Sequence, residues 1–332
     1  MPAHEGTGTT RRGARAPRRT GFAAASTTVV PVSTGSQPAG PVTDRCTTPD
    51  GVGVEIYDFG GRGHDLVLVH ATGLCAQVFT PLAARLADQF RCWGLDLRAH
   101  GRSDRPSDGD LAWTGFAVDV LSVVDHLGLD TPFGFGHSCG GAAVLMAEEQ
   151  RPGTFGALYC FEPVVMPGPP DPASVVDNPL SIGARRRRDT FPSVESALAN
   201  FSSKPPFGDF DPVALAAYID GGFEPVPVEE GGDGATVRLR CRREDEAEIY
   251  ARGFSHPTYR HLHEIECPVT LGCGAETDSF GPKLLDADAR RLRRARVEVL
   301  PGIGHFGPLQ QPALVAHSVM MALGAADGTA GS

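Results

Sequence analysis

The chain has 332 residues, 41% of them hydrophobic and 21% charged, with a formal net charge of -10. That composition supplies enough apolar surface for a packed core and excludes a chain disordered throughout. The acidic balance argues against nucleic-acid binding, and the 8 cysteines form no C-x-x-C pair, zinc spacing or secreted disulfide framework, so reduced thiols in a cytoplasmic protein are expected.

Residues 1–45 carry Arg11, Arg12, Arg15, Arg18, Arg19 and Arg45 against only Glu5 and Asp44, amid Thr, Ser, Gly, Pro and Ala. Paired arginines ahead of residues 21–30 are similar to a twin-arginine export signal, but that stretch is short, small-residue rich and broken by Pro31, so a disordered tail is expected. Beyond it, no segment approaches the ~20 apolar residues that a membrane helix requires. Short apolar runs predict strands at 53–59, 65–69, 91–95, 133–136, 157–161, 269–273 and 297–300. Apolar residues three or four apart predict helices at 82–89, 115–126, 140–150 and 284–295. This alternation predicts an α/β fold, a mostly parallel sheet flanked by helices, with its core in 46–165 and 267–332.

The alternation lapses over 166–266, where Pro-rich turns separate helical segments at 192–201, 211–218 and 243–250. A crossover needs far fewer residues, so this stretch is expected to be an inserted helical lid over the carboxyl edge of the sheet. Its aromatics Phe191, Phe201, Phe207, Phe210, Tyr218 and Phe223 are expected to pack the lid rather than line a pocket. Arg185 to Arg188 read as a solvated helix face paired with acids such as Asp189, in preference to an entrance that recruits a carboxylate-bearing substrate.

The strongest chemical signal is Gly136-His137-Ser138-Cys139-Gly140, between a predicted strand and a predicted helix. A strand that turns sharply into a helix holds Ser138 in strained geometry, and glycine two positions to either side admits the neighbouring backbone. Ser138 is thereby the candidate nucleophile. The backbone N–H of Cys139, at the helix start, faces developing negative charge, while its thiol is expected to pack as a small apolar group. After the strand at 65–69, His70-Ala71-Thr72-Gly73 offers a second donor, the Thr72 N–H, completing a candidate oxyanion hole; His70 is expected to shape that loop. Past the last strand, Gly304-His305-Phe306 places a histidine where it can act as general base, which a serine hydroxyl needs to become nucleophilic. His137 is expected to support the elbow.

The order of these pieces resembles the α/β-hydrolase superfamily over roughly residues 50–323. His70-Ala71-Thr72-Gly73 looks like its oxyanion loop, Asp96-Leu97-Arg98-Ala99-His100-Gly101-Arg102-Ser103 like its D-x-R-G-H-G-x-S turn, and Gly136 to Gly140 like its G-H-S-M-G elbow. Ala99 stands in place of the usual glycine and Cys139 in place of the usual methionine; neither change removes a backbone donor. Serine rather than aspartate at 138 argues against dehalogenase and epoxide hydrolase chemistry, which needs a carboxylate nucleophile.

The resemblance implies a lidded serine hydrolase of the esterase type, with a triad of Ser138, His305 and an acid. Asp278, just after the strand at 269–273, resembles the acid of a G-x-x-S-D loop and keeps the order Ser, Asp, His; it is the preferred acid. Glu162, after the strand at 157–161, is the alternative used by relatives whose acid sits one strand earlier. Glu276 is a third candidate, expected to face solvent. The expected activity is hydrolysis of an ester or related carbonyl compound through an acyl-enzyme, acting on a small molecule, with no cofactor, metal, nucleic-acid or membrane partner. The alternatives are carbon–carbon bond hydrolysis of a vinylogous diketone and a non-catalytic ligand receptor on the same scaffold.

Overall fold

The computed structural model describes residues 42–167, 175–227 and 236–327. The chain enters as an antiparallel pair, Val42–Thr47 (β1) and Gly53–Gly61 (β2), so the start of β1 takes up residues expected in the tail; the rest of that tail lies outside the described residues. His64–Val69 (β3), Thr80–Leu86 (α1), Phe90–Leu95 (β4), Thr114–Leu127 (α2), Phe133–His137 (β5), Cys139–Gln150 (α3) and Ala157–Phe161 (β6) then alternate as the periodicity predicts. Pro81 sits in the first turn of α1, where its missing N–H costs nothing. Gly128 ends α2 in a left-handed cap whose N–H returns to the carbonyls of Val124 and Asp125.

Between β6 and the next core strand lie Pro179–Arg186 (α4), Thr190–Phe191 (β7), Val194–Ser202 (α5), Pro212–Gly222 (α6), Phe223–Pro225 (β8), Val237–Leu239 (β9), Arg243–Ala251 (α7) and Thr258–His261 (α8). The side chains of Asn178, Ser193 and Asp211 cap α4, α5 and α6 by accepting hydrogen bonds from first-turn N–H groups. The insertion is not wholly helical, since β7, β9 and β8 form a small antiparallel sheet in that order. The core resumes with Val269–Gly274 (β10), Pro282–Ala289 (α9), Ala295–Leu300 (β11), Gly307–Gln310 (α10) and Pro312–Asp327 (α11). The helix expected to reach residue 295 stops at Ala289, and Arg291 and Arg293 instead donate to the carbonyls of Tyr259 and His263.

The eight-stranded sheet has the order β1-β2-β4-β3-β5-β6-β10-β11 and is parallel from β4 onward. Along β3, Val67 and Val69 pack on the face covered by α2 and α3, while Leu66 and Leu68 pack on the face covered by α1 and α11. Both faces are covered, which is why the central strands read as unbroken apolar runs. The aromatics Phe191, Phe201, Phe210, Tyr218 and Phe223 extend the second of these layers into the insertion, while Phe207 is only partly buried against it, and Phe201 and Phe207 also line a cavity. This arrangement brings the carboxyl ends of β3, β5, β6, β10 and β11 to one edge, the usual ligand edge of such a sheet. Among the described residues, no helix is long and apolar enough to cross a membrane.

Candidate active site

The elbow is built as its glycines dictate. Ser138 has φ 57° and ψ -115°, a strained conformation for a residue with a side chain, between the end of β5 and the start of α3. A side chain at Gly136 would overlap the Gly140 carbonyl, and one at Gly140 would overlap the carbonyl of Val69. The turn is fixed by its neighbours: Ser138 N–H donates to the Phe161 carbonyl at 2.9 Å, and the Ser138 carbonyl accepts from Val164 N–H at 3.2 Å.

Cys139 opens α3, so its backbone N–H precedes the helical hydrogen-bond ladder. Its buried thiol donates to the His70 carbonyl at 3.4 Å and lies against the hydroxyl and backbone N–H of Thr72. Thr72 and Cys139, the two residues expected to supply oxyanion donors, are therefore neighbours. Burial pushes the Cys139 thiol up to about 12, which leaves it protonated at neutral pH. His70 donates from Nδ1 to the Ala71 carbonyl at 2.8 Å and accepts Leu97 N–H on Nε2 at 3.0 Å. Burial lowers its pKa to about 4, so it is a neutral strut between two loops.

Asp96 supplies the other anchor of this edge. Its carboxylate accepts from Ala76 N–H at 2.7 Å, from Arg102 N–H at 2.8 Å and from the Tyr57 hydroxyl at 2.8 Å, which ties the turn after β4 to the loop after β3. Ala99 in that turn adopts φ 62°, the left-handed conformation that a glycine would hold without strain.

The acid is where the structure departs from the preferred expectation. His305 Nδ1 donates to Glu162 Oε2 at 2.7 Å. Glu162 is fully buried, with φ 46° at the end of β6, and it also accepts from Gly274 N–H on Oε1 at 3.0 Å and from the Thr277 hydroxyl on Oε2 at 2.8 Å. Asp278 is exposed and accepts a 3.3 Å hydrogen bond from the neighbouring Ser279 hydroxyl; Glu276 is exposed too. Thr277 points inward, so the next residue, Asp278, is directed to solvent. The loop after β10 thus serves the site through Thr277 and Gly274, two contributors that sequence reasoning missed because neither residue type announces the role.

His137 joins the histidine loop to the elbow: its Nε2 donates to the His305 carbonyl at 2.9 Å, and the two rings lie 5.0 Å apart. Burial holds its pKa well below the ordinary histidine value, so it stays neutral. Phe306 stacks edge-on beside His305 and meets Phe210 of the insertion at 5.6 Å, which places the insertion next to the catalytic edge.

A family model described as the alpha/beta hydrolase family matches residues 66–318. The chain belongs to the alpha/beta hydrolase family. The hydrolase is 32% identical over 120 residues to N-formylmaleamate deformylase of Pseudomonas putida, a match covering 36% of this chain and 45% of that protein. It is 23% identical over 248 residues to 2-(acetamidomethylene)succinate hydrolase of Mesorhizobium japonicum, covering 74% of this chain and 83% of the relative. A crystal structure of E-2-(acetamidomethylene)succinate hydrolase superposes with a TM-score of 0.71 at 19% identity, covering 86% of this chain and 99% of that one, which establishes the shared fold. The hydrolase is an enzyme by this membership, its named relatives being hydrolases and esterases.

Proposed function

We propose that the hydrolase cleaves an ester or related carbonyl substrate by a Ser138–His305–Glu162 triad and an acyl-enzyme. The observation that carries this reading is the 2.7 Å bond from His305 Nδ1 to a buried carboxylate that two further donors hold in place. That bond fixes the tautomer with Nε2 free to accept a proton, and it stabilises the imidazolium once formed. His305 Nε2 takes the Ser138 hydroxyl proton as Oγ bonds to the carbonyl carbon, and the oxyanion is met by the Cys139 and Thr72 N–H groups. Collapse expels the alcohol, which leaves with the proton held by His305. Water repeats the sequence on the acyl-enzyme, releasing the acid and restoring Ser138.

In this reading the segment 166–266 acts as a lid, and its contact between Phe210 and Phe306 supports placement over the site. All 8 cysteines are buried and free, which favours work in a reducing compartment such as the cytoplasm. The deformylase and methyl ester esterase among the relatives support carbonyl hydrolysis as the reaction class. The test is covalent labelling with a fluorophosphonate followed by peptide mass spectrometry. The label is expected on Ser138, and Ser138→Ala is expected to lose it and about 10⁶-fold in kcat with an unchanged melting temperature. Labelling elsewhere, or turnover retained in Ser138→Ala, overturns the proposal.

A further inference from the structure

The insertion forms an open cavity of about 460 Å³ between α4, α5 and α7. Its lining includes four cations, Arg186, Arg187, Arg188 and Lys204, against one carboxylate, Glu246. In a chain with 40 acidic and 30 basic residues, that is the reverse of the overall balance. Nor are acids lacking nearby. Outside the cavity lining Arg185 pairs with Asp177 at 2.6 Å, and Arg243 with Asp189 at 2.8 Å. The run read as one solvated helix face is therefore split: Arg185 points to a surface partner, while the next three arginines turn to the cavity.

Within the cavity the partners are different in kind. Arg187 is half-buried and held by Glu246 at 2.5 Å and by the Tyr218 hydroxyl at 2.9 Å. Arg188 donates to the Thr190 carbonyl and lies over the Phe191 ring, and Lys204 donates to the Asn200 amide oxygen. Among the described residues no carboxylate pairs with Arg186, Arg188 or Lys204, so within that set the rim carries three cations without an acidic partner. An isolated solvated cation needs no explanation, but three around one concave site create a field that favours an anion.

The inner wall of the cavity, Arg187 and Glu246, abuts the turn that carries the candidate oxyanion donor. Glu246 Oε1 sits where a side chain at Gly73 would project, and Arg187 Nη1 lies 3.5 Å from that same point. Gly73 follows Thr72, the candidate oxyanion donor, which itself lies against Cys139 beside the nucleophile. Phe201 and Phe207, also in the lining, add apolar surface beside these cations.

We propose that this cavity receives the anionic arm of the substrate: the hydrolase prefers acyl compounds that carry a second, free carboxylate, bound by Arg186, Arg188 and Lys204 with the Arg187–Glu246 pair as its inner wall. This inference rests on the proposed hydrolase reading and names its substrate class. Rim charges of this exposure act mainly on encounter and KM and are screened by salt.

The test compares kcat/KM of the full chain for p-nitrophenyl butyrate and mono-p-nitrophenyl glutarate, with Ser138→Ala protein as the blank for spontaneous hydrolysis. The acidic ester is expected to be preferred through a lower KM, and the preference to shrink as ionic strength rises. In the doubly substituted Arg186→Gln, Lys204→Gln protein the ratio of acidic to neutral kcat/KM is expected to fall at least about tenfold. Both side chains are exposed, and an unchanged melting temperature checks that the fold is intact. Free glutarate is expected to inhibit competitively and inorganic phosphate to inhibit less. Equal use of the two esters, a ratio unaffected by the substitutions, or stronger inhibition by phosphate overturns the carboxylate assignment. Failure to turn over either ester, together with no fluorophosphonate label on Ser138, overturns the hydrolase reading itself.

Discussion

The loops after β6 and β10 each present a carboxylate at the same edge of the sheet, and the fold puts them in opposite environments. Glu162 is fully buried, sits in the left-handed region and accepts three hydrogen bonds, one of them from His305. Asp278 is exposed and accepts a hydrogen bond from its neighbour Ser279. A strained backbone and a buried carboxylate are costly features that persist when the surroundings demand them. Under the proposed triad, the acid is the carboxylate whose strand end points at the histidine. Glu162 N–H donates to the Gly272 carbonyl of β10, so the strands lock the turn that carries the carboxylate.

The sharpest way to break this contrast is to neutralise each acid in turn. Glu162→Gln is expected to lower kcat by about 10⁴, because the amide presents N–H where His305 needs an acceptor. Asp278→Asn is expected to change it less than about twofold, as a surface substitution away from the partners of His305. The opposite ranking in steady-state kinetics would return the acid to the later loop. A finer probe is Thr277→Val, which removes one of the donors that hold Glu162 while leaving the carboxylate in place. About a tenfold loss in kcat is expected, with KM for a neutral ester nearly unchanged. A loss as large as that of Glu162→Gln would mean that the loop after β10 does more than hold the acid.

Much of this was legible in the sequence. Every predicted core strand is present within a few residues, and Ser138, His305, Thr72 and Cys139 meet at one edge, because an elbow after an apolar strand is a local signal. The acid was less legible because its role depends on a contact between residues 143 apart in sequence. Its flanking residues, Phe161 and Pro163, carry no mark of it. The strand β1 was missed because VTDRCT is polar and pairs only at the sheet edge, and β7, β8 and β9 because two or three residues are too few for periodicity. The arginine run 185–188 reads as one feature in sequence and becomes two in space, since α4 ends at Arg186 and the chain then turns extended at Arg187.

A third carboxylate extends the comparison to one that is buried without partners. Asp288 in α9 is 1% exposed, and neither of its oxygens has a hydrogen-bond donor among the described residues. Burial raises its pKa to about 7, with Arg291 opposing the shift. Below about pH 4 it is protonated in both folded and unfolded chains and adds no penalty of ionisation. Between about pH 4 and 7 the unfolded chain ionises first, so stability falls as pH rises, and above about 7 the full penalty is present. Asp288→Asn is therefore expected to raise the melting temperature at pH 8 and to leave it unchanged near pH 4, with no effect on kcat. Thermal unfolding across that range checks the sign, and a variant less stable at pH 8 than at pH 4, relative to wild type, would contradict it.

The bond from His305 to Glu162 can be observed directly. Proton NMR of the resting enzyme is expected to show a strongly deshielded ring N–H resonance that disappears in His305→Ala, which assigns it to Nδ1. That resonance should persist in Asp278→Asn and be lost or moved far upfield in Glu162→Gln. Its survival in Glu162→Gln and loss in Asp278→Asn would contradict the triad proposed here.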